Sequence, residues 1–352
     1  MQNIHKPWIK LQEYIDAGDY EAINGLQDRC NSVDQTALKL ELDYKLGVND
    51  DNRNGVEDIN EFMYFDGEEL IGYVGICSFG GPWEVNGMVD PDYRRQGVFT
   101  KLFELAMAEW KRRDSGSMLL LSDRNSESGQ KFIAGVGAQY KHSEYEMFLK
   151  KDAPAATPDQ LEGIVFRKAT NADAHEIARQ NVIYFNDEVE INSEDMILSE
   201  EDEISSEEII LPEEEEFSSE DMILPEEEEF SSEENILPEE GEFRSEDMIL
   251  PEEEERRGMT SYLVEKDGQI IGKVNLQLTT KLGAIFGLGV LPEHRRKGYG
   301  RALLLLAIEK LKEANAKEIM LQVAAENSNA LNLYKSCGFE ETSTMDYFEL
   351  RS

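Results

Sequence analysis

The sequence predicts an α/β protein made of two copies of one strand-and-helix pattern, with a strongly acidic repeat set into the second copy. Three observations carry that reading: matching runs of strand and helix signals in the two halves, a charge imbalance confined to one block, and a 13-residue period inside that block. At 352 residues, 40% of them hydrophobic, the chain is long enough to bury a core and divides more readily into two domains than one.

The first copy reads as strand YFDGEELIGYVGICSF, segment WEVNGMVDPDYRRQG, helix TKLFELAMAEWKRR, strand SMLLLS and helix SESGQKFIAGVG. The second repeats the order: strand TSYLVEKDGQIIGKVNLQL, segment AIFGLGVLPEHRRKG, helix GRALLLLAIEKLKEA, strand EIMLQVA, helix NSNALNLYKSCG and a last strand DYFEL. Both long helices carry an apolar stripe at spacings of three and four. In one it is Leu102, Phe103, Ala106, Met107 and Trp110; in the other, Leu303, Leu304, Ala307, Ile308 and Leu311. The stretch DAPAATPDQ separates the copies, so the expected domains are 1–152 and 161–352, joined by a linker over 153–160.

The insert, 193–250, repeats SSEDMILPEEEEF, with Pro212, Pro225, Pro238 and Pro251 in register. In a continuous helix 13 residues turn through about 1300°, which leaves successive copies rotated by roughly 140° and unable to build one apolar stripe. One proline per copy interrupts any such helix. Each copy also has few apolar side chains among its glutamates, so disorder is expected over most of the insert. The last copy runs straight into strand residues, and Pro251 with its following glutamates therefore reads as the first turn of a real helix ended at Gly258. Stretch ATNADAHEIARQNVIYFND reads as a helix leading into the first copy, which suggests that one helical unit was duplicated in tandem.

The formal charge is -39, from 74 acids against 35 lysines and arginines, and this excludes a generally basic nucleic-acid binder. Residues 187–256 alone hold 32 acids and two bases, so the rest of the chain has the balance of an ordinary soluble enzyme. Cys30, Cys77 and Cys337 have unrelated spacing that forms neither a disulfide framework nor a zinc cluster. The opening residues lack a signal-peptide pattern and no apolar run reaches membrane length, so the expectation is a cytoplasmic protein with no membrane or nucleic-acid partner. No metal is implied.

The chemistry concentrates in Val290-Leu-Pro-Glu-His-Arg295-Arg296-Lys297-Gly298-Tyr299-Gly300-Arg301, a strand that breaks into a basic glycine-containing loop and opens a helix. Unpaired N–H groups at a helix start attract phosphate, and the glycines let it approach the main chain. On this segment alone a solvated basic turn remains an alternative. Neither a P-loop nor a Rossmann fingerprint is present.

Arg295-x-x-Gly298-x-Gly300 matches the R/Q-x-x-G-x-G/A motif of the GCN5-related N-acetyltransferases (GNAT), and Asn327-x-x-Ala330-x-x-Leu333-Tyr334-x-x-x-Gly338-Phe339 matches that family's second motif. The chain thus resembles a tandem GNAT protein: two domains, each a mixed, mostly antiparallel sheet flanked by helices. The resemblance covers 161–352 outside the insert, and 1–150 more loosely. It implies an acyltransferase of EC class 2.3.1 that uses acetyl-coenzyme A as co-substrate, with no metal. The amides of Arg296 through Arg301 would hold the pyrophosphate, with Arg295 heading the motif. Leu288, Gly289 and Val290 would pair with the pantetheine, and Gly287 and Gly289 suit a bulge that helps two strands splay. An N–H there could stabilise the thioester oxyanion. By the same resemblance Asn327 holds the cofactor arm, or caps a helix, or both, and Tyr334 protonates the leaving thiolate.

The acceptor would be an amine on a small molecule, a protein N-terminus or a lysine, attacking directly. Strand AIFGLGV carries no carboxylate, so the base stays open among Glu326, Glu293, a relayed water and uptake of neutral amine. Cys337 as a nucleophile lacks a histidine partner nearby apart from His294 in the loop itself. In the first copy Phe99 stands where the second has Gly300. Asn125, Ser128 and Phe132 align with Asn327, Ala330 and Tyr334, leaving Gly137 one residue out of register with Gly338. That copy reads as catalytically degenerate, a wall for the active half, with weak coenzyme binding left open. Two other readings stand beside the enzyme: a coenzyme-binding regulatory protein without turnover, and an interaction module using the acidic tract. Oligomeric state is not legible.

Deleting four repeat units should leave the circular dichroism spectrum and thermal midpoint of the remaining fold unchanged. In the family the first two helices border the acceptor site, so a flexible polyanion between them should attract cationic acceptors. The full chain should then show the higher kcat/KM for such acceptors at low salt, and the gap should close at high salt.

Overall fold

The computed structural model describes residues 2–47, 57–78, 82–113, 116–151, 153, 162–184, 250–279 and 281–351. The expectations for the linker and for nearly all of the acidic insert lie outside the described residues. The chain divides into two compact units, one of Met1–Ala174 with Ile249–Ser352, the other of His175–Met248. The described part of the second unit is helical and ties itself along its own length through Arg179–Glu176 and Tyr184–Gln180.

The first unit contains the strands of both sequence copies. Strands β1 (Pro7–Gln12), β2 (Glu61–Asp66), β3 (Glu69–Cys77), β4 (Trp83–Val89), β5 (Ser117–Asp123) and β6 (Gln139–Leu149) come from the first copy. Strands β7 (Ile164–Lys168), β8 (Met259–Lys266), β9 (Gln269–Leu278), β10 (Leu282–Val290), β11 (Glu318–Ala324) and β12 (Phe339–Arg351) come from the second. Helices α1 (Ala17–Asp34), α2 (Leu42–Gly47), α3 (Val98–Arg113) and α4 (Glu127–Val136) belong to the first copy. The second holds α5 (174–184), α6 (Pro251–Arg256), α7 (Tyr299–Glu313) and α8 (Ser328–Ser336). Each copy is antiparallel apart from one parallel pair, β4 with β5 and β10 with β11.

All twelve strands form one sheet in the order β1-β2-β3-β4-β5-β12-β6-β11-β10-β9-β8-β7. The two copies exchange their last strands: β12 of the second pairs with β5 of the first, and β6 of the first pairs with β11 of the second. The seam is apolar on one side, where Leu119, Leu121, Met345 and Tyr347 pack together. It is also polar and saturated. Arg124 Nη2 donates to Asp346 Oδ1 at 2.7 Å, and Ser143 Oγ donates to the same oxygen at 2.7 Å. A carboxylate of the second copy is thus held by side chains of the first.

The helical stripes are buried as the periodicity predicts, except that Met107 is half-buried. Burying each leucine contributes roughly 1.5 to 3 kcal/mol. Pro251 opens α6 at its first position, and Gly258 follows with φ 93°, where a glycine is favoured. Glu109 is an acid on the buried face of α3. Side-chain hydrogen bonds from Arg112, with further ones from Ile59 N–H and Arg113, hold its carboxyl down to about 2 against the effect of burial.

Because its folded pKa lies below 4.5, Glu109 contributes stability that is present above that pH and lost as pH falls toward 2. Urea midpoints of the wild type should decline through this window, and those of Glu109→Gln should start lower and decline less.

Candidate active site

In the second copy the main chain leaves β10, makes a single 3-10 turn at Pro292–His294, and enters α7. Arg296 and Gly298 have φ of 60° and 87°, and Gly298 is the N-cap. Left-handed residues in such a loop turn successive N–H groups toward one side, a concavity suited to an anion. Arg295 shapes the loop from within, donating from Nε to the Val290 carbonyl at 3.0 Å. Arg301 Nη1 reaches Ser336 Oγ at 2.7 Å, which fastens α7 to α8. Lys297 Nζ returns to the Glu293 carbonyl at 2.8 Å, and Arg296 and Lys297 are exposed beside the loop. A side chain at Gly298 would meet nothing within 4 Å, so the space above the loop is open.

Behind the loop the strands part. Pairing of β10 with β11 ends at Ile285–Leu321, although β10 continues to Val290 and β11 to Ala324. On its other side β10 carries a bulge between Phe286 and Gly289, where Gly287 and Leu288 together face one residue of β9. Gly287 has φ 53°, so the glycine signal in the sequence marks the bulge that the strand contains. Leu288, Gly289 and Val290 therefore line the opening with one edge free of β11.

Asn327 caps α8, its Oδ1 accepting from Ala330 N–H at 3.0 Å, an interaction worth about 1 kcal/mol. Tyr334 is 8% exposed on the inner side of α8, with its ring centroid 6.2 Å from that of Phe339. Tyr299 and Gly300 lie on the first turn of α7, where Gly300 faces Leu333. Cys337 is fully buried, and burial raises its thiol pKa, which opposes a nucleophilic role. Glu326 and Glu293 are both exposed.

The first copy repeats the loop and fills it differently. Arg94 donates from Nε to Val89 O at 3.0 Å, and Arg95 and Gly97 have φ of 64° and 79°, as in the second copy. Arg94 is also paired with Asp34. Phe99 lies against β4: a Cβ on Gly87 would stand 2.8 Å from its ring. It forms edge contacts with Phe132. Strand β4 pairs with β3 without a register shift, so β4 has no counterpart of the bulge in β10. A cavity of about 550 Å³ nonetheless opens along β4, Arg94, Arg95 and α4.

The alignment of the second motif needs one correction. The cap of α4 is Ser126, not Asn125, and Gly137 ends α4 at φ 81° as Gly338 follows α8 at 97°. With cap and turn superposed the two segments have equal length. The counterparts of Asn327, Ala330 and Tyr334 are then Ser126, Gly129 and Ile133. Sequence alignment misplaces them because Asn and Ser are both good caps and the nearby aromatic, Phe132, attracts the match. The position still carries no hydroxyl.

One group on the opposite face was not singled out from the sequence. Lys273, on β9, is 1% exposed and pairs across the ladder with Gly289. Its Nζ lies 3.3 Å from where a Cβ on Gly287 would stand. Around it are Glu254 of α6, Ser261 of β8 and Asn275 of β9. Ser261 Oγ lies 3.3 Å from Glu254 Oε2 and 3.1 Å from Asn275 Oδ1. Burial lowers the Lys273 pKa to about 8, with Glu254 opposing; burial also raises Glu254. Among the described residues no partner hydrogen-bonds the ammonium. The available signal was a single lysine, the one charged residue of QIIGKVNLQL.

Comparison with known proteins agrees with this geometry. The model of the acetyltransferase (GNAT) family matches residues 222–339. An N-alpha-acetyltransferase of Sulfurisphaera tokodaii is 37% identical over 100 residues, covering 25% of this chain and 60% of that protein. The [Ribosomal protein bS18]-alanine N-acetyltransferase of Escherichia coli K12 is 30% identical over 83 residues, covering 24% and 56%. A mycothiol acetyltransferase of Kocuria rhizophila is 46% identical over 59 residues, covering 17% and 20%. The chain thus spans less than two thirds of each relative's length. Among solved structures, a tandem GNAT protein from the clavulanic acid biosynthesis pathway has a TM-score of 0.62 at 13% identity, with 98% of each chain covered. A GCN5-related N-acetyltransferase from Sphaerobacter thermophilus has a TM-score of 0.59 at 16% identity, covering 97% of this chain and 95% of that one. Residues 222–339 thus match the acetyltransferase (GNAT) family, and the chain as a whole shares the fold of a tandem GNAT protein.

Proposed function

We propose that this protein is a cytoplasmic N-acetyltransferase that moves the acetyl group of acetyl-coenzyme A to a primary amine, with residues 161–352 as the working half and 1–152 as a structural half. The observation that carries the assignment is the conjunction, in the second copy alone, of an open glycine-containing loop at the start of α7, a bulged strand with a free edge, and a buried tyrosine on α8.

The amides from Arg296 to Arg301 would receive the pyrophosphate, with the exposed Arg296 and Lys297 supplying charge. Leu288 to Val290 would pair with the pantetheine along the edge that β11 leaves unbonded. The amine's lone pair attacks the thioester carbon, and a main-chain N–H at the bulge stabilises the oxyanion. As the tetrahedral species collapses the C–S bond breaks, and Tyr334 protonates the departing thiolate. Asn327 spends its oxygen on the α8 cap and has its amide hydrogens to offer the cofactor arm. In the first half Phe99 lies over the corresponding strand, and Ile133 has no proton to give. Relatives whose names specify α-amine or alanine acetylation favour an α-amino acceptor. No residue of this reading requires a metal.

Isothermal titration of acetyl-coenzyme A should find one site in the wild type, one in Phe99→Gly or a second weak one, and none in Gly300→Phe. Gly300 faces ordinary van der Waals contacts, so Gly300→Ala should keep the fold. Two sites of equal strength in the wild type would overturn the assignment of a structural first half. No binding at all would remove the acetyltransferase reading, and binding without turnover of any amine would leave a coenzyme-binding regulator.

A further inference from the structure

Any amine acetylation must dispose of a proton. The attacking nitrogen bears one too many hydrogens once the C–N bond has formed, and the strand that borders the thioester has no carboxylate. The exposed Glu293 and Glu326 stand outside the splay. Lys273 is different in three respects. It sits directly across the ladder from the bulge, with Nζ against Gly287. It lies on the face that carries α6, opposite the face packed by α7, so that Lys273 and Tyr334 stand on opposite sides of the sheet. And it is buried without a hydrogen-bond partner among the described residues, whereas the other buried lysine among them, Lys45, is bonded to Glu61 and Tyr73.

The first copy shows what a purely structural solution at this place looks like. Strand pairing sets Lys273 opposite Leu263 as it sets Tyr73 opposite Met63, so Tyr73 is the counterpart of Lys273. Tyr73 donates to Glu61 Oε2 at 2.5 Å, and Lys45 of α2 closes the set at 2.9 Å from Glu61 Oε1. That triad is full. In the second copy Ser261 replaces Glu61 and Asn275 replaces Gly75, and the amine of Lys273 is left with room on the side of the bulge.

Resting on the acetyltransferase reading above, we infer that Lys273 is the proton acceptor of the reaction: its neutral amine takes the proton released by the acceptor nitrogen after attack. The balance is complete. The C–N bond forms, the C–S bond breaks, Lys273 goes from amine to ammonium, Tyr334 gives its proton to the thiolate, and solvent restores both. Burial keeps a fraction of Lys273 neutral near pH 7, with Glu254 the charged group that opposes this. An acceptor α-amine, with an ordinary pKa of about 7.7 to 8.0, is largely neutral at pH 8 and ready to attack, whereas a lysine side chain near 10.4 is almost wholly protonated there. At such a pH α-amino acceptors react in preference to lysine side chains.

The test uses the full chain, acetyl-coenzyme A and an alanine-leading tetrapeptide, with an N-terminally blocked lysine peptide as the contrast. Below pH 8 the wild type needs both the peptide amine and Lys273 neutral, so kcat/KM should climb roughly a hundredfold per pH unit and in Lys273→Met only roughly tenfold. At pH 8 the variant should be slower by roughly a hundredfold or more, with acetyl-coenzyme A affinity unchanged. The blocked lysine peptide should be the poorer acceptor. Stability should move the other way. Lys273 has a folded pKa below its unfolded one, so the unfolded state holds more protons between about 8 and 10.5 and wild-type stability rises across that window. Lys273→Met should be the more stable protein at pH 7 and lose its advantage by the top of the window. A ¹³C-NMR titration of the Lys273 ε-carbon should find its midpoint near 8. Turnover with the steep pH limb intact in Lys273→Met, a higher KM at unchanged kcat, or a midpoint at the ordinary lysine value would each overturn the role of Lys273 alone. A wild type that binds acetyl-coenzyme A without turning over any amine would overturn the enzymatic reading and this inference with it.

Discussion

The parting of β10 from β11 after Ile285–Leu321 is the constraint on which the site depends. A parallel ladder carried to its end would consume every main-chain donor and acceptor of β10 on that side. Stopping it early leaves a short run of β10 with polar groups and no strand to satisfy them, a cost that a ligand's amides can offset. The bulge at Gly287 and Leu288 turns this run without breaking its ladder to β9. Loop, splay and bulge thus form one device, in which Gly287 and Gly298 take left-handed backbone conformations that a side chain would strain.

The same splay occurs in the first copy, where β4 and β5 stop pairing after Val85–Leu120. There it lacks the bulge, its loop arginine is neutralised by Asp34, and aromatic rings from Phe99, Phe103 and Phe132 pack edge to face. Duplicated architecture has been retained while the opening has been partly given to packing. Edge-to-face aromatic contacts contribute about 0.5 to 1.5 kcal/mol each beyond area burial, and the second copy has Gly300 and Leu333 where the first has Phe99 and Phe132.

Strand exchange binds the copies into one sheet. Each half would otherwise end in an exposed edge at β5 or β11, and each edge is covered by the last strand of its neighbour. The polar seam at Asp346, Arg124 and Ser143 specifies the register of that exchange, since a one-residue slip would place a buried carboxylate among apolar side chains.

The local features were legible in the sequence. Helical stripes, the proline that opens α6 and the cap at Asn327 all follow from residues within a few positions of one another, where propensity and main-chain geometry act directly. Gly287 was legible for the same reason. What the tertiary structure decided depends on pairing across the chain: that β12 joins the first copy, that Ser126 and not Asn125 is the equivalent cap, and that Lys273 lies against the bulge. Composition offered one lysine among apolar neighbours; only the register of β9 on β10 and the approach of α6 turn it into a desolvated amine. Burial is a property of neighbours brought together from distant sequence, and a charge acquires chemistry from what surrounds it.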